Sequence, residues 1–241
     1  MAKSLRTSLI WLTVFAFPAL LVLVGLGVWQ VQRLAWKDAM LADLAAKQTA
    51  AAMDIATLDR NDQAGENIDY LPVAFSGTYV GSKELRLYWV HEGEAGWRLT
   101  VPVQLSDGSV VLLDRGFVTQ SVLDRLIPPS GPVNITGRAL REKAQGVFTP
   151  DNEPANNVWY WRDVAAMAQA LGVNPARVKP YVILADRSGG DESWPLALAT
   201  PPRIENRHLG YAITWFGLAA CLVGVYGAYM VSMLRSTKRG R

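Results

Sequence analysis

The sequence predicts an α+β membrane protein in which two transmembrane helices, one near each terminus, flank a mainly antiparallel β domain. Residues 7–32 and 209–234 carry no charged side chain, and about 20 apolar residues of helix cross a bilayer core of about 30 Å. Between them, short segments rich in β-branched and aromatic residues alternate with turn residues, a pattern typical of strands. Because no long helical pattern separates these segments, we expect an antiparallel sheet or a barrel-like structure with one short helix.

The first span is predicted as a transmembrane helix over residues 8–30. No glycine or proline occurs between Val28 and Ala64, so the helix is expected to continue outside the membrane to about residue 53. The polar residues 59–65 are expected to form the turn that follows. The apolar run is too long for a signal peptide and lacks a small-residue cleavage site, so we interpret the span as a permanent anchor.

The β domain is predicted over residues 54–206. Its one expected helix covers residues 161–171 and is closed by Gly172. The expected strands cover residues 71–79, 84–90, 96–104, 110–118, 133–140 and 181–185. The domain contains no cysteine, so disulfide bonds cannot hold it and its hydrophobic core must.

The distribution of charge predicts the topology. The tails, residues 1–7 and 235–241, carry six basic residues and no acidic one. Basic flanks remain in the cytoplasm, so we expect both termini there, the second span over residues 207–234, and the β domain in the periplasm. No mitochondrial presequence pattern precedes the first span, which favours a bacterial inner membrane. Because the basic excess is confined to the tails, the lipid bilayer is an expected partner and nucleic acid is not.

The residues that could support chemistry are few. The chain has two histidines, His91 and His208, and one cysteine, Cys221, inside the second span. His91 lacks the second histidine of a zinc protease motif, and the absence of a Cys pair or Met-rich tract argues against a copper carrier. No nucleophile motif or phosphate-binding glycine loop occurs. The composition therefore favours a protein that is not an enzyme.

His208 stands apart because it lies one residue outside the uncharged run of the second span. On a helix it shares a face with Tyr211, Ala212 and Trp215, which follow at offsets of three, four and seven. A neutral imidazole beside apolar walls is what an axial haem ligand requires. Aromatic residues also occur at any membrane interface, so the spacing alone leaves open a solvated interfacial histidine.

Four segments of the sequence resemble the signature segments of the surfeit locus protein family, the cytochrome c oxidase assembly factors. The resemblance covers the whole chain in the family's order. The segments are Gly27-x-Trp29-Gln30-x-x-Arg33-x-x-Trp36-Lys37, Pro102-Val103 with Asp107-Gly108 and Val111-Leu112-Leu113-Asp114-Arg115-Gly116-Phe117-Val118, Pro150-Asp151-Asn152 with Trp159-Tyr160-Trp161-Arg162-Asp163, and Asn206-x-His208-Leu209-x-Tyr211-Ala212-x-Thr214-Trp215-Phe216-Gly217. Many family members have Trp where this chain has Phe117.

The resemblance implies a non-enzymatic assembly factor for the haem–copper oxidase. Such a protein would bind haem a transiently and assist its insertion into the catalytic subunit of cytochrome c oxidase, with haem a synthase as a further candidate partner. The resemblance implicates His208 as the ligand of the haem iron. It also gives Trp29, Trp36, Tyr211 and Trp215 a role as walls of the haem site.

Several alternatives remain open at the level of sequence. Trp29 and Trp36 could equally anchor the interface, and Arg33 and Lys37 could pair with haem propionates or with lipid headgroups. Arg115 is expected to form a structural ion pair. The chain could instead be a membrane-tethered scaffold that binds oxidase subunits without haem, or an anchored extracytoplasmic enzyme.

Close packing of the two spans is expected from their glycines, because small residues let membrane helices approach each other. The glycines concerned are Gly25, Gly27, Gly210, Gly217 and Gly224.

The predicted topology can be tested with alkaline phosphatase, which folds only where its disulfides can form. Fused after Arg241, the reporter should remain inactive, because the basic tails hold both termini in the cytoplasm. Fused after Gly146, inside the predicted periplasmic domain, it should be active. Activity after Arg241 would contradict the topology.

Overall fold

The computed structural model describes residues 2–186, 194–199 and 206–239, except for the side chains of 2–9, 234 and 236–239. Most charged side chains of the two predicted tails therefore lie outside the described residues. The chain divides into two compact units. One consists of Met1–Asp43 with Arg203–Arg241, and the other of Leu44–Pro202.

Within the described residues, two helices are long and apolar enough to cross a membrane. The first, α1, runs over Ala2–Thr49 and therefore ends four residues before the predicted end. The last helix of the chain covers His208–Arg239. Together with the β domain between them, these helices confirm the predicted α+β fold class.

Helix α1 ends early because the next residues join the sheet. The backbone N–H of Met53 donates to the Pro72 carbonyl at 3.0 Å, and the Met53 carbonyl accepts from Ala74 N–H at 2.9 Å. A second helix, α2, then covers Ile55–Gln63 and takes up most of the segment predicted as a polar turn. The Asp54 side chain caps it by accepting from the backbone of Thr57, the usual role of Asp at a helix N-cap.

The described β domain contains seven strands, of which six lie at the predicted segments. The seventh, β6, is two residues long and was not predicted. The strands are β1 Pro72–Tyr79, β2 Leu85–His91, β3 Glu94–Gln104, β4 Val110–Thr119, β5 Pro132–Arg141, β6 Val158–Trp159 and β7 Val178–Ala185. A short helix, α3, covers Gln120–Leu123 after β4, and α4 covers Val164–Ala170 within the helix predicted over residues 161–171.

Five strands close into a ring, which confirms the barrel-like, mainly antiparallel prediction. The order is β1-β5-β7-β4-β3, and β3 pairs again with β1 through Thr78 with Gln104 and Tyr79 with Val103. Strand β2 extends the sheet from β3, and β6 adds to β2. The pairs β4–β7 and β2–β6 are parallel. Closure removes the exposed edges that an open sheet of these strands would leave.

The interior of the ring is apolar, and strand β4 is buried along its whole length. Helix α2 covers one part of this core with Leu58, which is fully buried. A second cluster forms around Trp159, where Met167 from α4 packs. Parallel pairing of β4 with β7 requires a crossover connection, and the connection between β4 and β7 contains α4.

An ion cluster stands at the centre of the β domain, around the fully buried side chain of Asp114. Its Oδ2 accepts from Arg98 Nε at 2.7 Å and from Arg162 Nη2 at 2.6 Å. Its Oδ1 accepts from the backbone N–H of Gly116 at 3.1 Å. The neighbouring Arg115 pairs with Glu84, and both side chains are largely buried. The expectation that Arg115 forms a structural ion pair is therefore confirmed.

Replacing Asp114 by Asn should destabilise the β domain severely. The substitution keeps the size of the side chain but leaves Arg98 and Arg162 without their buried counter-charge, a change that costs about 3–5 kcal/mol. Denaturant unfolding of the full chain in detergent would measure the loss of unfolding free energy. Asp124→Asn, at an exposed position, is the matched control and should change stability by about 0.5 kcal/mol or less.

Repeating the unfolding measurement at low pH tests whether the charge of Asp114 is the source of its stabilisation. Burial alone would raise the pKa of Asp114, but the guanidinium groups of Arg98 and Arg162 outweigh it and hold the pKa below its usual value of 3.8. The stabilisation is therefore complete above that value and is lost as pH falls through the lower folded-state pKa. In the Asp114→Asn variant, the unfolding free energy should fall less steeply as the pH is lowered. If its acid dependence equals that of the unsubstituted protein, the charge of Asp114 is not the cause of the stabilisation.

The two long helices run antiparallel within their own unit. The hydroxyl groups of Thr13 and Tyr226 lie 2.7 Å apart, and further along, Gly27 lies under the ring of Phe216. A Cβ on Gly27 would stand 2.7 Å from that ring, so any larger residue here requires the ring of Phe216 to move. The other four glycines expected to support packing have nothing within 4 Å of a Cβ position. Helix approach therefore depends on one glycine and not on a stripe, because only Gly27 faces a bulky side chain.

Gly27→Leu should force the two helices apart, since overpacking of a close contact costs about 1–3 kcal/mol. The readout is cross-linking of cysteines at positions 13 and 226 by a short bis-maleimide, in a Cys221→Ala background. Gly25→Leu is the matched control and should leave cross-linking unchanged, because that position is open. Equal cross-linking in both variants would contradict the contact.

Candidate functional site

The candidate site lies at His208, the first residue of the last helix, which we number α5. Its Nδ1 stands 2.7 Å from the side-chain Oε1 of Gln30 on α1. Two residues earlier, Asn206 donates from Nδ2 to Oδ1 of Asp38 at 2.7 Å, and Asn206 Oδ1 accepts from the backbone N–H of His208 at 3.4 Å. The start of α5 is thus tied to α1 at two points, Asn206 and the imidazole of His208.

The imidazole of His208 lies at the boundary between the packed helices and their surroundings. Gln30 is only 8% exposed, Ala212 one turn into α5 is buried, and His208 itself is half-buried. Among the residues that the structure describes, none hydrogen-bonds His208 Nε2. One ring nitrogen is therefore held by the protein, and the other is available to a ligand.

The aromatic side chains predicted as walls are not enclosed with His208. Trp29, Trp36 and Tyr211 are 53%, 52% and 56% exposed, and Trp215 is half-buried. At 100° per residue, Trp29 and Trp36 share a stripe of α1 about 110° away from Gln30. The structure brings His208 together with Gln30 and leaves the aromatic side chains on open helix surface.

Arg33 lies on the same stripe as the two tryptophans of α1. Its guanidinium carbon stands 4.0 Å from the centre of the Trp36 ring, a cation–π contact. This contact holds a positive charge against an exposed aromatic surface, and the combination suits an apolar ligand that carries carboxylates.

Gln30 is the functional residue that reasoning from the sequence did not single out. The sequence contains an indication of this residue, because an amide inside an uncharged apolar run is costly to bury without a hydrogen-bond partner. It also lies three residues after Gly27, on the same face of α1. That face is the one that contacts α5.

The remaining candidates lie elsewhere in the described residues. His91 ends β2 in the β domain, half-buried, with its ring 5.5 Å from that of Phe117. Cys221 is exposed on α5. No group of three His, Cys, Asp or Glu side chains that could hold a metal ion occurs in the described part of the chain.

Comparison with known proteins relates this arrangement to one family. The family model described as the SURF1 family matches residues 17–220, which include both Gln30 and His208. A SURF1-like protein of Rickettsia bellii is 30% identical over 224 residues, covering 88% of each chain. A SURF1-like protein of Monosiga brevicollis is 30% identical over 225 residues, 85% of this chain and 82% of the relative.

Similarity extends to animal proteins. Surfeit locus protein 1 of Xenopus tropicalis is 28% identical over 232 residues, covering 86% of this chain and 73% of the relative. The matched region begins within α1, includes the whole β domain and ends within α5. Because the family model matches most of the chain and two of the relatives are 30% identical over most of their length, the chain belongs to the SURF1 family.

Proposed function

We propose that this protein is an assembly factor for haem–copper cytochrome c oxidase that binds haem a and assists its insertion into the catalytic subunit. Membership of the SURF1 family supports the role in oxidase assembly. The observation that carries haem binding is the imidazole of His208, half-buried at the start of α5 with one ring nitrogen held by Gln30.

The residues around His208 fit a haem that is held by a single axial ligand. A haem needs one nitrogen donor and apolar contact over its large faces. His208 offers the donor through Nε2, and Tyr211 and Trp215 on the same helix offer aromatic surface close by in sequence. When bound, haem supplies an iron centre that takes an imidazole nitrogen as axial ligand.

In this proposal, the tryptophans of α1 form an exposed surface that the haem covers. Trp29 and Trp36 are exposed, and an apolar macrocycle covering them would gain about 25 cal/mol per Å² of buried surface. Arg33, stacked on Trp36, and Lys37 carry the positive charge that would pair with haem propionates. Open, one-sided contact of this kind suits a cargo that must leave again.

The site is proposed to lie at the outer surface of a bacterial inner membrane. The antiparallel arrangement of α1 and α5 within their unit supports the placement of both termini on one side. The basic tails support the cytoplasm as that side. The β domain would then be periplasmic, and its surface would be available to the oxidase subunit.

In this proposal the protein performs no catalysis. Its residues bind the haem, shield it and release it, and the chemistry of oxygen reduction belongs to the oxidase. The partners are the catalytic subunit of cytochrome c oxidase, haem a synthase as a source of the cargo, and the lipid bilayer.

His208→Ala should abolish the haem absorption band of protein purified from cells that make haem a. The variant should still be present in the membrane, because the apolar runs of α1 and α5 remain unchanged. His91→Ala is the matched control and should keep the band, since His91 lies in the β domain. Equal haem content in the His208→Ala variant and the unsubstituted protein would overturn the ligand assignment.

A further inference from the structure

We propose that Gln30 is a positioning residue for His208: by accepting the Nδ1–H proton it fixes the ring in the tautomer whose free lone pair is on Nε2. The inference rests on the proposed function, because it states which nitrogen is presented to a haem iron. It concerns this chain's own residues, however, and can be measured with no haem present.

The hydrogen bond itself determines the tautomer. A neutral imidazole carries its proton on one nitrogen and a lone pair on the other. The partner of Nδ1 is the Oε1 atom of Gln30, at 2.7 Å, and an amide oxygen can only accept. With Oε1 as the facing atom, we place the proton on Nδ1, which leaves the lone pair on Nε2 for a metal.

Burial makes this hydrogen bond costly to lose. Gln30 is 8% exposed and lies near the end of the uncharged run of α1, between Trp29 and Val31. A buried amide without a partner loses its hydrogen bonds to water and forms none in the protein, which destabilises the fold by about 1–3 kcal/mol. Water competes poorly for the contact at such a site, so the tautomer is held more firmly than in an exposed histidine.

The acceptor for His208 Nδ1 is uncharged, and this affects how strongly Nε2 can bind a metal. Histidine ligands of metals often donate their second N–H to a carboxylate, which raises the basicity of the ligating nitrogen. The carboxylate of Asp38 on the same helix bonds instead to Asn206, and the acceptor for His208 is a neutral amide. A neutral acceptor orients the ring while leaving Nε2 a ligand of ordinary strength, which suits binding that must be reversed.

The neighbouring contacts restrict rotation of the ring. The Asn206–Asp38 bond on one side and the Gln30–His208 bond on the other tie the start of α5 to α1 at two points. The approach of the helices at Gly27 lies one turn away from Gln30. The direction of Nε2 is therefore set by helix packing before any ligand arrives, which reduces the entropy lost on binding.

The test is nitrogen NMR of the haem-free full-length chain in detergent, labelled with ¹⁵N-histidine. The chain has two histidines, so a His91→Gln background leaves one labelled ring. The signals of His208 should report a proton on Nδ1. Gln30→Leu should shift the population towards the Nε2–H tautomer, and Gln30→Glu should keep the proton on Nδ1.

Gln32→Leu is the matched control, because Gln32 is exposed on the same helix two residues away. It should leave the His208 signals unchanged. The inference is overturned if His208 carries its proton on Nε2 in the background protein, or if Gln30→Leu and Gln32→Leu give the same spectrum. Gln30→Glu retains the size and acceptor of the native side chain, so it remains informative should Gln30→Leu fail to fold.

Haem retention provides a second readout. Loss of a partner that orients a metal-bound histidine weakens binding by roughly 10–100-fold, so Gln30→Leu should lose haem faster than Gln32→Leu. Gln30→Glu should bind more tightly and lower the reduction potential, because a carboxylate acceptor makes the imidazole a stronger donor. If His208→Ala retains haem, the proposed function fails, whereas the NMR result decides the role of Gln30 separately.

Discussion

The arrangement of the candidate site depends on the close approach of two apolar helices at Gly27. With a hydrogen atom in place of a side chain, α1 accepts the ring of Phe216 from α5, and this contact brings the next turn of each helix together. One turn further along α1, Gln30 then lies within hydrogen-bond distance of His208. In hydrocarbon no hydrophobic force drives helices together, so packing of small residues and polar contacts must do so. The same few contacts therefore associate the helices and orient the imidazole.

The β domain is under a different constraint, because it contains no cysteine and its stability must come from packing and ion pairs. Closure of five strands into a ring encloses one apolar core. The ion cluster at Asp114 joins β3, β4 and the segment before α4. The Asp114-Arg115-Gly116 motif therefore has a structural role. Gly116 completes it with a φ of 125° and the carbonyl of Leu196 packed where a Cβ would stand, a combination that only glycine tolerates.

In the proposed function, the two-helix unit and the β domain have different roles. In the β domain, the buried carboxylate of Asp114 is paired with Arg98 and Arg162. The imidazole of His208, by contrast, is half-buried at the start of a helix on which Tyr211 is exposed. A neutral amide behind that imidazole is consistent with a ligand bound firmly enough to be carried and loosely enough to be passed on.

The sequence by itself determined the features that depend on local pattern: two uncharged runs of span length, six strand segments marked by β-branched residues and turns, and His208 at the start of a helix. These follow from residue type and spacing alone, and the structure has them within a few residues. It could not determine α2, because the residues of that helix are polar and only burial of Ile55 and Leu58 against the sheet makes them helical. The parallel pairing of β4 with β7 and the role of Gln30 also required the tertiary structure. Each depends on which segments, distant in the sequence, come into contact. Those contacts are set by the shapes of the packed surfaces and not by the spacing of residues.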